Sequence, residues 1–174
     1  MLIYLDTMIV QYTIDYEGYI FGEISGSSGE CPVSDPKLKR ELDALRQLIF
    51  LDQLGNWVYA CTPRLWDELN AGQPTRGQQE AYPIFMQAWK ESAWTEAFPL
   101  DEEEVSQVED SLRILNLSDA ADRRHLAEAI VLNASWFLTN DNDVVKKCKG
   151  KDLPLHVAKP SECLSKISVG LFLR

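Results

Sequence analysis

Short, wholly apolar runs alternate along this chain with longer stretches in which leucine and isoleucine recur at helical spacing. The first run, Leu2-Ile3-Tyr4-Leu5, opens the sequence and ends on Asp6-Thr7. Trp57-Val58-Tyr59-Ala60-Cys61 and Trp136-Phe137-Leu138 are of the same kind. Each is too short for a helix and lacks the polar alternation of a half-wet strand, so each predicts a buried strand. Leu155-His156-Val157 predicts a last strand. Between them, Leu38, Leu42, Leu45, Leu48 and Ile49 form the apolar stripe of a helix opened by Pro36 and stopped at Gly55-Asn56. Thr62-Pro63 predicts the N-cap and first residue of a helix that ends near Gly72.

Further helices are expected over Thr7 to about Ile14, Gln78 to Trp94 (weakened by Pro83), Asp101 to about Leu115, Ser118 or Asp119 to about Asn133, Asn142 to Lys147, and from Pro160 onward. Residues 16–36 are rich in glycine, serine and proline and predict a loop with a little strand at Tyr19 to Phe21. A connection of that length inside a compact domain is either functional or mobile. Strands alternating with helices predict an α/β fold, a three-layer α/β/α sandwich around a mainly parallel sheet, with residues 1–174 as one domain.

Composition narrows the picture. At 45% hydrophobic and 25% charged residues, the chain is an ordinary globular one. No apolar run approaches the ~18 residues of a membrane helix. Met1 leads straight into a strand with no basic segment before it, so a signal peptide is not expected and the protein is read as cytoplasmic. Cys31, Cys61, Cys148 and Cys163 form no CxxC pair, which predicts free thiols and no zinc site. The formal net charge of −10 weighs against nucleic-acid binding, because affinity for phosphates comes from lysine and arginine. Yet the basic residues come in groups: Lys37, Lys39 and Arg40; Arg123 and Arg124; Lys146, Lys147, Lys149 and Lys151. Such groups are read equally well as solvated helix faces.

The candidate chemistry lies in the acids. Asp6 ends the first strand, and Thr139-Asn140-Asp141 follows the third. In an open α/β sheet, ligands bind at strand ends where the strand order reverses. Carboxylates delivered to two such ends, with no glycine-rich loop nearby, suggest a site for a hard cation and metal-assisted phosphoester chemistry. Each acid also has an ordinary reading. Asp6 suits an N-cap. Glu68 is also readable as a plain surface glutamate, and Asp119 with Asp122 as a capping pair. A lone helical His125 is more often packed and hydrogen-bonded than a ligand. One of Asp141 and Asp143 is expected to cap the next helix while the other faces a cation. Asp141, directly at the strand end, is the expected ligand.

Taken in order, Leu5-Asp6-Thr7, Glu68, Asp122-x-x-His125-x-Ala127 and Thr139-Asn140-Asp141 resemble the PIN-domain ribonucleases, with VapC-type toxins the nearest group. The resemblance implies Asp6, Glu68, Asp122 and Asp141 as the four catalytic, metal-binding acids, with Thr7, Thr139, Asn140 and Asp143 as accessory positions. It also implies Mg²⁺ or Mn²⁺ as cofactor, RNA as substrate and, for a toxin, an antitoxin protein as partner. A PIN-like module that binds RNA or protein without cutting is the alternative. A phosphatase of the haloacid-dehalogenase type, with Asp6 as nucleophile, fails because Met8 stands where a second aspartate is expected. Phe85, Met86, Trp89 and Trp94 lie close together in one predicted helix and predict a homodimer contact.

Overall fold

The computed structural model describes residues 1–22, 29–55, 57–91 and 100–172 of the chain. Four parallel strands form its sheet: β1 (Leu2–Leu5), β2 (Val58–Ala60), β3 (Trp136–Leu138) and β4 (His156–Ala158), in the order β2-β1-β3-β4. The helices are α1 (Thr7–Asp15), α2 (Glu17–Ile20), α3 (Pro36–Gly55), α4 (Pro63–Ala71), α5 (Arg76–Glu91), α6 (Glu102–Ser111), α7 (Ala120–Val131), α8 (Asn142–Cys148) and α9 (Pro160–Phe172). A 3₁₀ turn, Leu112–Leu115, extends α6.

The strand period of two divides the core into two layers. Ile3 and Leu5 of β1, Tyr59 of β2, and Trp136 and Leu138 of β3 pack with α1, α3, α4 and α9 on one face. Tyr4, Ala60 and Phe137 point the other way and pack with α6, α7 and α8. Both faces are covered, which is why the strands read as apolar runs without alternation. The expected three-layer α/β/α sandwich is the observed architecture. The chain leaves β1 to build β2 on one side, then crosses to the other side to add β3. The order therefore reverses between β1 and β3. Helix α1 leaves β1 toward the first face, and α8 leaves β3 toward the second. The crevice between those diverging connections is where this architecture places ligands.

Several local expectations shift. Tyr19 to Phe21 is not strand: Glu17–Ile20 is a helical turn, α2. The cause is tertiary: Tyr19 donates its hydroxyl hydrogen bond to Asp43 of α3, and the Arg46 guanidinium lies over its ring at 4.7 Å. Residues 23–28 of the expected loop lie outside the described residues. Helix α5 starts at Arg76, inside the expected turn, because Thr75 and Gln78 cap it reciprocally: Thr75 N donates to Gln78 Oε1 at 2.9 Å and Gln78 N to Thr75 Oγ1 at 3.4 Å. It carries Pro83 in its interior. Phe85 packs against the first core layer, whereas Trp94 and the side chains of Met86 and Trp89 lie outside what the structure describes. The four cysteines are free thiols. Among the described residues no helix is long and apolar enough to cross a membrane.

Candidate metal centre

Register brings the first and last acids together. Leu5 of β1 pairs with Leu138 of β3, and Asp6 N donates to Leu138 O at 3.0 Å. Asp6 and Thr139 thus leave adjacent central strands side by side. The Asp6 carboxylate is buried and held by both oxygens: Oδ1 accepts from Thr7 N at 2.8 Å and Oδ2 from Thr139 Oγ1 at 2.7 Å. The ordinary reading of Asp6 as the N-cap of α1 is therefore correct, and its second oxygen does something else. Thr139 Oγ1 in turn accepts from Asp141 N at 3.0 Å, so one hydroxyl ties Asp6 to the start of α8. Burial raises the Asp6 pKa, against the opposing pull of the Thr139 hydrogen bond and the positive His125.

Asp141 caps α8 through Oδ1, which accepts from Asp143 N at 2.6 Å and Val144 N at 3.3 Å. Asp143 is turned aside to Lys147 Nζ at 2.7 Å and Ser118 Oγ at 2.9 Å. The expected division, one acid capping and the other facing the cluster, is not what forms. Asp141 caps the helix, and its charge bears on Asp122.

Asp122 sits in the first turn of α7, whose N-cap is Asp119, bonded to Ala121 N at 2.9 Å. Asp119 caps as expected, but Asp122 makes no reciprocal capping bond. Among the described residues its carboxylate has no hydrogen-bond donor. Burial, then the negative charges of Asp6, Asp141 and Asp119, push its pKa up to about 6. Glu68, from α4, accepts from His125 Nε2 at 2.7 Å and from Thr7 Oγ1 at 2.9 Å. Burial works to raise its pKa, but the hydrogen bond and charge of His125 outweigh it and hold Glu68 below the ordinary range. Hydrogen bonds through Thr139 tie Asp6 to the start of α8, and Thr7 and His125 hold Glu68, while Asp122 is linked to the other acids by charge alone. The acids differ: Glu68 is paired with His125, whereas Asp122 carries the repulsion of Asp6, Asp141 and Asp119.

Beneath these acids lies a buried polar network that the sequence reading did not assemble. His125 is packed and hydrogen-bonded, as its ordinary reading holds, and only 1% of it is exposed. Its Nδ1 lies 3.0 Å from Tyr4 Oη and 3.5 Å from Glu128 Oε2. Glu128 accepts from Tyr4 Oη and Thr62 Oγ1, each at 2.7 Å, and from Arg124 Nε at 3.4 Å. Burial opposes charge on His125, but its bonds to Glu128 and Glu68 prevail and raise its pKa to about 9. Burial likewise opposes charge on Glu128, and His125, Thr62 and Tyr4 bring it down to about 2. The raised pKa favours the charged imidazolium between the two glutamates at neutral pH. Thr62 stands at the N-cap of α4, as expected, but its hydroxyl serves Glu128 and makes no capping bond. The only early signal for this network is the i, i+3 spacing of His125 and Glu128 on one helix face.

The basic groups separate cleanly. Arg123 and Arg124 are used inside the fold: Arg123 pairs with Glu109, and Arg124 with Glu102, Glu109 and Glu128. Arg40, Lys146, Lys149 and Lys151 instead line a cavity of about 700 Å³ between α8, β4 and α9. A second cavity of about 600 Å³ shares Arg40, Asn142 and Lys159 with the first and reaches Tyr12 and Asn140, beside Asp141.

The donor chemistry of the cluster suits Mg²⁺ or Mn²⁺: hard oxygen ligands, one of them, Asp122, without a hydrogen-bond donor among the described residues. Among the described residues no three of these side chains are arranged to enclose an ion as they stand. Asp6, Glu68 and Asp141 are each already engaged. Mg²⁺ takes one or two carboxylates directly and keeps several waters, so a donor set of this kind fits it better than it fits an ion needing a full protein cage. No family model matches the chain, and neither a curated protein nor a solved structure matches it.

Proposed function

We propose that the protein is a metal-dependent endoribonuclease that cleaves RNA phosphodiester bonds at the β1/β3 crevice. The observation that supports this reading most is the unpartnered Asp122, pushed up to about 6 by burial and by Asp6 and Asp141. Acids that repel one another are stabilised together by a cation. The order of the acids resembles that of PIN-domain ribonucleases, which supports RNA as the substrate. A toxin paired with an antitoxin protein, and a homodimer, belong to the same reading.

A bound Mg²⁺ or Mn²⁺ supplies a water of lowered pKa and charge stabilisation at the leaving oxygen. The chain's own residues set the stage for it. Thr139 fixes Asp6 and the start of α8 in one geometry through a single hydroxyl. His125 holds Glu68 ionised and in place. Asp122, which has no hydrogen-bond donor among the described residues, is the acid left free to meet the ion. Asp6, Asp122 and Asp141 are the residues that would hold the ion.

The test is a fluorescently labelled single-stranded RNA of mixed sequence, incubated with the protein and Mg²⁺ or Mn²⁺. Cleavage is expected with either ion and lost on adding chelator. RNA that is bound but left intact under every metal condition would replace this reading with that of a binding module.

A further inference from the structure

We infer that the cavity between α8, β4 and α9 is the binding track for a single nucleic-acid strand, carrying its phosphodiester backbone toward the acids. The inference rests on the nuclease reading for its destination but on separate residues for its chemistry. Six cationic side chains line that cavity, Arg40, Lys146, Lys149, Lys151, Lys159 and Lys166, against one carboxylate, Glu162. The whole chain has 17 lysines and arginines and a formal net charge of −10, so this concentration runs against its average. Favourable charge at the C-terminal end of α8 accounts for Lys146 and Lys147 alone. The other cations come from α3, the loop after α8, the end of β4 and α9. Gly150 turns that loop with a φ of +74°, a conformation glycine adopts freely, and so sets Lys149 and Lys151 on the same rim.

Three further features favour a strand over a lone phosphate. The first is length: the cationic cavity shares Arg40, Asn142, Lys159, Ser161 and Glu162 with the second one, where Lys37, Arg40 and Lys159 face the carboxylates of Asp35, Glu41 and Glu162. The second is an aromatic surface: the exposed His156 ring in the cavity lies 4.7 Å from the Trp136 indole, which also carries the Lys166 ammonium at 5.6 Å. A ring on a cationic wall is the arrangement on which bases stack with little sequence preference. The third is the direction of the path. Its far end holds Asn140, next to Asp141; the Asn140 Oδ1 is buried and, among the described residues, without a hydrogen-bond partner. The Asn140 Nδ2 donates to Tyr12 Oη at 3.1 Å.

Fluorescence anisotropy with a labelled 12-nucleotide single-stranded RNA in chelator separates binding from cleavage. Wild type should bind with a salt dependence of about −0.7 in log K per phosphate contacted. The triple variant Lys146→Ala/Lys149→Ala/Lys151→Ala, all at exposed positions, should bind at least ~10-fold more weakly and lose about 2 from that slope. Arg113→Ala, a surface cation outside the track, should match wild type. Binding that is absent, or unchanged by the triple variant, overturns the inference whether or not the protein cuts RNA. Inorganic phosphate and a nucleoside monophosphate that bind as tightly as the 12-mer also overturn it, in favour of a small-anion site. Strand binding that depends on these lysines, in a protein that fails to cleave with Mn²⁺, upholds the track and defeats the nuclease reading alone.

Discussion

Glu128→Ala should destabilise the fold by about 3–5 kcal/mol, the range for removing one partner of a buried ion pair. The side chain is almost wholly buried, and its loss strands four groups at once. The His125 imidazolium and Arg124 lose a counter-charge, and Tyr4 and Thr62 lose the acceptor that both share. For a domain of this size, thermal unfolding followed by circular dichroism should show a fall of about 10 °C or more. A fall of only a degree or two would mean that water replaces the carboxylate and that the network is not closed.

The pH dependence of that difference follows from the shifts. His125, raised to about 9, contributes stability that is complete below its ordinary 6.5 and is lost as pH rises through 9. Glu128, lowered to about 2, contributes above its ordinary 4.5 and loses that contribution as pH falls through 2. The gap between wild type and variant is therefore widest between about pH 4.5 and 6.5 and narrows on both sides.

Asp122→Asn should have the opposite signature: cleavage lost and the metal-free fold strengthened. Losing an outer partner of a metal ligand typically costs about 10–100-fold, so replacing a carboxylate that faces the ion should lower kcat/KM by at least about 100-fold. The stability change has the other sign. Because the folded-state pKa of Asp122 is raised to about 6, wild type loses stability as pH rises from about 4 to 6, and the loss persists above. An amide at this position cannot ionise and escapes it. Without metal at pH 8, the variant should melt above wild type. A variant that cuts RNA at the wild-type rate, or melts below wild type at pH 8, contradicts the role given to Asp122.

How much of this was legible beforehand depends on the kind of signal. Asp6 and Asp141 stand at the ends of apolar runs buried on both faces, so the strands and their exits could be read directly. Their juxtaposition needed only the rule that strand order reverses in a doubly covered parallel sheet. Glu68 and Asp122 were placed by resemblance, because a glutamate or aspartate in a helix turn carries no local mark of its neighbours.

The network beneath was not legible, for a physical reason. Tyr4 reads as core in an apolar strand and Thr62 as a cap, and nothing in the sequence marks Glu128 as their partner. Only the packing of α7 over β1 turns their polar ends toward one another. Arg124 looked like a candidate for phosphate contact and proved to be enclosed by Glu102, Glu109 and Glu128. The error at Tyr19 to Phe21 is similar: an aromatic run with strand propensity becomes a helical turn where its side chains dock on α3.

The measurement that bears most directly on the central claim is Mn²⁺ binding by isothermal calorimetry, with wild type and Asp122→Asn compared at pH 7.5 and pH 5. Wild type is expected to bind at pH 7.5, and at pH 5, where Asp122, raised to about 6, is mostly protonated, to bind more weakly and to release protons on binding. Asp122→Asn is expected to bind at least ~10-fold more weakly at pH 7.5 and to show little change between the two pH values. Wild type that binds no Mn²⁺ at pH 7.5, or binds it no more tightly than Asp122→Asn does, would contradict a metal site at the β1/β3 crevice.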